Sequence, residues 1–120
     1  MSKHETPLTR KYWEAVGGLL IEEFRVVKNR WIDGVIVLNE TTEIHTSKNY
    51  DISNKDIICI QTKARTIGMG VLGQAYFSSK LIEKHHAPKS IKTVVICTNG
   101  DSFLEAIAKE HDIEIIIIKK

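Results

Sequence analysis

The chain reads as an α/β protein with a mixed central sheet and helices on both of its faces. Three observations predict this. Helix-type and strand-type patterns follow one another over 120 residues in the order α-β-β-β-α-β-α-β. The strands come first as a run and then alternate with helices, the pattern of a sheet that is partly antiparallel and partly parallel. Ile91–Cys97 is almost continuously apolar, as expected of a strand covered on both faces.

The first helix is predicted over Pro7–Val16. Thr6 suits the N-cap and Pro7 the first helical position. Leu8, Tyr12, Ala15 and Val16 recur at helical spacing, and Gly17-Gly18 stops the run, with Gly17 in the left-handed C-terminal position. Leu19–Val27 ends in β-branched residues and reads as a strand. A turn at Lys28-Asn29-Arg30 leads to a second strand, Trp31–Leu38. The polar stretch from Asn39 to Lys55 reads either as a loop or as a loop holding a short extra strand. Asp56–Lys63 is a strand that turns polar at its end. Gly68, Gly70 and Gly73 mark the approach to a second helix over Val71–His85, with Leu72, Ala75, Tyr76, Ser79 and Ile82 on one side and Pro88 as the stop. Asp101 or Ser102 caps a third helix to about Glu110, and Ile113–Ile118 is the last strand.

Composition narrows the class. With 42% hydrophobic and 27% charged residues, the chain matches an ordinary globular protein, and 120 residues suit one domain spanning 1–120. A net charge of +2 permits nucleic-acid binding without arguing for it. Cys59 and Cys97 sit in apolar runs and read as buried thiols in a reducing, cytoplasmic setting. The start of the chain has no apolar stretch of signal-peptide type, and the longest apolar run is far too short to span a membrane. No glycine-rich phosphate loop, nucleophile elbow or Cys/His zinc spacing is present.

The chemistry-bearing residues lie on the second and third strands. Asp33 stands between Ile32 and Gly34, where a carboxylate is costly unless paired, hydrogen-bonded or bound to a cation. Gln61 and Lys63 share one strand face, about 6–7 Å apart. Each has a plainer reading: a strand-end Asp facing water, and a strand leaving the core. Glu14 on the first helix is the acid placed to reach over the sheet end, with Glu22 its rival if the helix runs through the glycines.

Asp33-Gly34-Val35-Ile36-Val37-Leu38 followed by Ile58-Cys59-Ile60-Gln61-Thr62-Lys63-Ala64 resembles the PD-(D/E)XK nuclease superfamily, which includes restriction endonucleases and archaeal Holliday-junction resolvases. Gln-x-Lys is similar to the variant of some modification-dependent restriction enzymes. The resemblance implies a restriction-endonuclease-like αβββαβ core, here with a C-terminal αβ extension. It implies a divalent-metal-dependent nuclease acting on DNA with Mg²⁺ or Mn²⁺. Asp33 would be the main ligand, joined by Gln61, the main-chain carbonyl of Thr62, and Glu14. Lys63 would stabilise the transition state or orient the attacking water. Two residues depart from the pattern: Ile32 stands where many members have Pro, and neutral Gln61 where many have Glu. The alternative is a catalytically inactive nuclease-like domain serving nucleic-acid binding or assembly.

Arg10, Lys11, Arg25, Lys28 and Arg30 cluster early, and Arg65 follows Lys63. Of these, Arg30 and Arg65, with Gln74 on the second helix, are the expected nucleic-acid contacts. Gln74 and Tyr76 partly match a Gln and a Tyr that line the site in some superfamily members. Tyr76 and Phe77 read as core. His85-His86 suits a helix C-terminus. A homodimer is expected if the substrate is a two-fold object, with Ile113–Ile118 able to pair or be covered.

Overall fold

The computed structural model describes residues 4–45 and 50–119. Along the chain lie α1 (Thr6–Val16), β1 (Leu19–Val27), β2 (Arg30–Val37), β3 (Glu43–His45), β4 (Asp56–Thr66), α2 (Met69–His86), β5 (Ser90–Asn99), α3 (Ser102–Glu110) and β6 (Ile113–Ile117). The strands form one sheet in the order β3-β1-β2-β4-β5-β6. β2 runs antiparallel to both of its neighbours, β1 and β4, whereas β4, β5 and β6 run parallel. The predicted mixed sheet is therefore the observed one.

Period-two alternation builds both cores. Leu20, Ile36, Ile58 and Ile60 point to one face, where Leu8 and Tyr12 of α1 cover them. Their neighbours Ile21, Val35, Ile57 and Cys59 point to the other face and meet Ile82 of α2. Val95 and Cys97 pack on that second face with Val71 and Ala75 of α2 and Ala108 of α3. Both cysteines are free and buried, as expected. No helix of the described residues is long and apolar enough to cross a membrane.

The differences from expectation are local. Thr6 lies inside α1 and Glu5 is the N-cap residue, without a side-chain cap; the Thr9 hydroxyl donates back to the Glu5 carbonyl four residues earlier, which is not a cap. The open stretch 39–55 contains the short β3, paired parallel to β1; residues 46–49 of it lie outside the described residues. β4 runs three residues past Lys63, to Thr66. Asp101 caps α3, its Oδ1 accepting from Phe103 N at 2.9 Å and Leu104 N at 3.2 Å.

Gly17 and Gly18 both take positive φ, 83° and 87°. Gly17 has ψ of −168°, which carries the chain directly into β1 and not through a left-handed cap. At Gly18 a Cβ would stand 2.7 Å from the Val37 carbonyl oxygen. Gly18→Ala therefore meets both a disfavoured φ and an immovable backbone atom. Thermal denaturation is expected to show a loss of about 2 kcal/mol; an unchanged melting temperature would mean that the α1–β1 corner relaxes freely.

Candidate active site

The site forms where β2 and β4 emerge between α1 and α2. Asp33 is the buried carboxylate of the site, at 9% exposure. Its Oδ2 accepts a 2.7 Å hydrogen bond from the backbone N–H of Thr62. Burial pushes the Asp33 carboxyl up to about 6; the Thr62 amide opposes this rise, while the negative charges of Glu5 and Glu23 add to it. The group is thus a carboxylate kept out of water with one donor and two acidic neighbours, an arrangement that favours either a proton or a cation.

The local backbone explains how a carboxylate comes to lie here. Glu22 pairs with Gly34 and Phe24 with Ile32, which leaves Glu23 and Asp33 across from one another. Ile21 and Phe24, three residues apart, both enter the core under α2, as do Ile32 and Val35. The alternation of both strands therefore slips by one at the Glu23–Asp33 level. Glu23 has φ of 54°, a left-handed value that is uncommon within a strand and concentrates at functional positions. Gly34 has a packing reason: a Cβ there would stand 3.4 Å from Thr9 Cγ2 and 3.3 Å from Leu20 Cδ1, so glycine lets α1 settle close to the strand that carries Asp33.

Thr9 fixes α1 to the site. Its Oγ1 lies 2.8 Å from Thr62 Oγ1 and 3.1 Å from the Glu5 carbonyl. A hydroxyl has one proton. Thr9 uses its proton on Glu5, so Thr62 donates to Thr9. The chain Thr62–Thr9–Glu5 joins β4 to the first turn of α1 and brings Glu5 to the mouth of the cleft.

Gln61, on the α2 side of β4, donates through Nε2 to Gln74 Oε1 over a long 3.4 Å. Its own Oε1 is buried and accepts no hydrogen bond among the described residues. Lys63 is exposed two residues further on. Glu5, Asp33, Gln61, Thr62, Lys63, Gly70, Val71 and Gln74 together line a polar cleft of about 310 Å³.

The sequence placed Asp33, Gln61, Thr62, Lys63 and Gln74 together, and the structure does the same. Glu14 is exposed on α1 and does not line this cleft, which Glu5 lines instead. Glu22, its rival, is held by Arg10 at 2.7 Å. Arg30 lies beside the cleft, in a neighbouring cavity that also includes Gln61 and Gln74. Arg65 is exposed near the end of β4 and lines neither cavity. Phe77, read as core, is 66% exposed. The α2 stripe Val71, Ala75, Ser79 and Ile82 runs at four- and three-residue steps and leaves Phe77 outside it. Tyr76 does pack against the core, beside Val71 and Ala75. Neither His85 nor His86 enters the cleft; His86 Nε2 instead meets the Val26 carbonyl at 2.7 Å. Glu5 and Glu23 were missed, and the second carried no sequence signal at all.

The fold is thus α/β, a mixed six-stranded sheet flanked by helices, with a polar cleft at the ends of β2 and β4. No family model matches the chain, and no curated protein does. Among solved structures, it is similar to a repair endonuclease from Pyrococcus abyssi, with a TM-score of 0.70 over 99% of this chain at 10% identity. It is also similar to EndoMS in its apo form, with a TM-score of 0.61 over 100% of this chain at 10% identity. The chain spans 47% and 48% of those two proteins, about half of each. At this identity the likeness establishes the fold.

Proposed function

We propose that this chain is a divalent-metal-dependent nuclease that hydrolyses DNA phosphodiester bonds, with Mg²⁺ or Mn²⁺ as cofactor. The observation that carries the reading is the meeting, in one polar cleft, of the buried Asp33 carboxylate, the unpartnered Gln61 Oε1 and the Lys63 side chain. The oxygens fit a hard cation, which takes carboxylate and amide-carbonyl donors. A buried acceptor without a donor calls for an electropositive partner. Asp33, Gln61 and the Thr62 carbonyl would hold the ion, and Glu5 takes the place first given to Glu14. When bound, the ion supplies positive charge to the scissile phosphate and acidifies water.

The chain's own groups do the rest. Thr62 N–H orients Asp33, and Thr9 holds Thr62. The Lys63 ammonium faces the phosphate oxygens as their charge grows, or orients the attacking water. Arg30 and Arg65 contact backbone phosphates, which makes binding weaken with salt. The shared fold with the repair endonuclease supports the reaction class.

The test is cleavage of single-stranded, duplex and branched DNA, and of RNA, with Mg²⁺, Mn²⁺ or excess EDTA. Cleavage by the wild type only with metal, and none by Asp33→Ala, is expected. Cleavage that survives Asp33→Ala would overturn this site. Among the described residues no three His, Cys, Asp or Glu side chains converge as a metal cluster. This favours a second reading, an inactive nuclease-like domain that binds nucleic acid or assembles with protein; calorimetry showing no uptake of Mn²⁺ would decide for it.

A further inference from the structure

Beside the polar cleft lies a second cavity of about 470 Å³, lined by Asn29, Arg30, Trp31, Gly73, Phe77 and Leu81, together with Gln61 and Gln74. Those two glutamines also line the polar cleft, so one groove joins both. Trp31 is 48% and Phe77 66% exposed. Large aromatic rings at a cavity rim, next to a guanidinium and three carboxamides, match what a nucleobase requires: flat apolar faces for stacking and donors and acceptors for its edge. Trp31 precedes Asp33 by two residues, about 7 Å along β2. The volume lies within the range of small-molecule pockets.

The helix supplies an independent sign. Gly73 sits inside α2, where glycine costs about 1 kcal/mol relative to alanine. It does not have positive φ, and a Cβ placed on it would meet nothing within 4 Å. Neither backbone conformation nor packing calls for glycine there. Gly70, in the wall of the polar cleft, has the same open surroundings. Glycine at both positions keeps the groove wide where α2 would otherwise narrow it.

We infer that this cavity is a subsite for one unpaired nucleobase, stacked between Trp31 and Phe77, of the strand whose phosphate enters the Asp33 cleft. The substrate class is then DNA with an extruded or single-stranded nucleotide beside the cut. The inference rests on the nuclease reading and names its substrate.

The experiment is a binding titration in EDTA, so that no strand is cut. Three oligonucleotide probes are compared: a fully paired duplex, the same duplex with one unpaired nucleotide, and that duplex with an abasic residue at the unpaired position. The full chain is expected to bind the unpaired-base probe at least about tenfold more tightly than the abasic probe. Phe77→Ala, which removes an exposed ring, and Gly73→Leu, which fills open space, are each expected to erase that preference. Equal affinity for base and abasic probes in the wild type would overturn the subsite, as would a preference that survives both variants. The metal-dependent cleavage assay reports separately. Duplex cleavage without base preference removes the subsite and leaves the nuclease; base preference without cleavage on any probe removes the nuclease reading and the cut-site assignment with it.

Discussion

Lys63→Ala is expected to lower the rate of DNA cleavage at saturating metal and DNA by about a hundred- to a thousandfold, the usual loss when one donor to a developing oxyanion is removed. Its melting temperature should stay within about 3 °C of the wild type, because exposed side chains contribute little to stability. Lys63 makes no ion pair among the described residues and stands exposed at the cleft, so its removal leaves no buried charge behind. The loss should fall on the rate at saturation more than on DNA affinity, since Arg30 and Arg65 remain for ground-state contacts. Lys63→Arg keeps the charge but changes the donor geometry, and partial recovery is expected. A Lys63→Ala enzyme within threefold of the wild type would remove the residue from the chemistry.

The strand part of the site was legible because period two is a local rule. Once Asp56–Lys63 is a strand, Gln61 and Lys63 must share a face, and the structure shows Gln61 beside Gln74 of α2. Asp33 was legible from the cost of a carboxylate in an apolar strand. The helix acid was not, because the phase and direction of α1 over the sheet depend on a distant contact. Thr9 binds Thr62, 53 residues away, and this places the first turn of α1 at the cleft. Glu14 lies nine residues beyond Glu5, about 13 Å further along the helix axis. The helix acid that lines the cleft is therefore the N-cap residue Glu5 and not the acid in the middle of the helix. Phe77 misled for a related reason: an aromatic ring in an amphipathic helix is usually core, and only the buried stripe starting at Val71 shows that it points elsewhere.

Glu23 belongs to a different category. Its positive φ and its position opposite Asp33 arise from the slip in strand alternation, and nothing in Glu22-Glu23-Phe24 announces it. The result is electrostatic. Two acids near a buried third one raise the cost of ionising Asp33, and the fold carries that cost when no cation is present.

That cost sets a pH dependence with a definite sign. The Asp33 carboxyl moves from 3.8 to about 6 on folding, so the folded protein holds a proton that the unfolded chain has released. The stabilisation is complete below about pH 4 and is lost as pH rises through 6. At pH 8 in EDTA the ionised group costs about 3 kcal/mol. Asp33→Asn removes the charge and keeps an oxygen for the Thr62 amide. This variant is expected to raise the stability of the metal-free protein at pH 8 by about 3 kcal/mol, and at pH 4.5 by only about 1 kcal/mol. Added Mg²⁺ or Mn²⁺ should stabilise the wild type at pH 8, because the cation takes over the proton's part. The effect should fade below pH 6 as the two compete, and it should be absent in Asp33→Asn. Denaturation scans of both proteins from pH 4.5 to 8, with and without metal, check all five statements together. If Asp33→Asn is no more stable than the wild type at pH 8 in EDTA, the folded protein does not bear the cost of an ionised Asp33, and the case for a cation at this carboxylate loses its energetic basis.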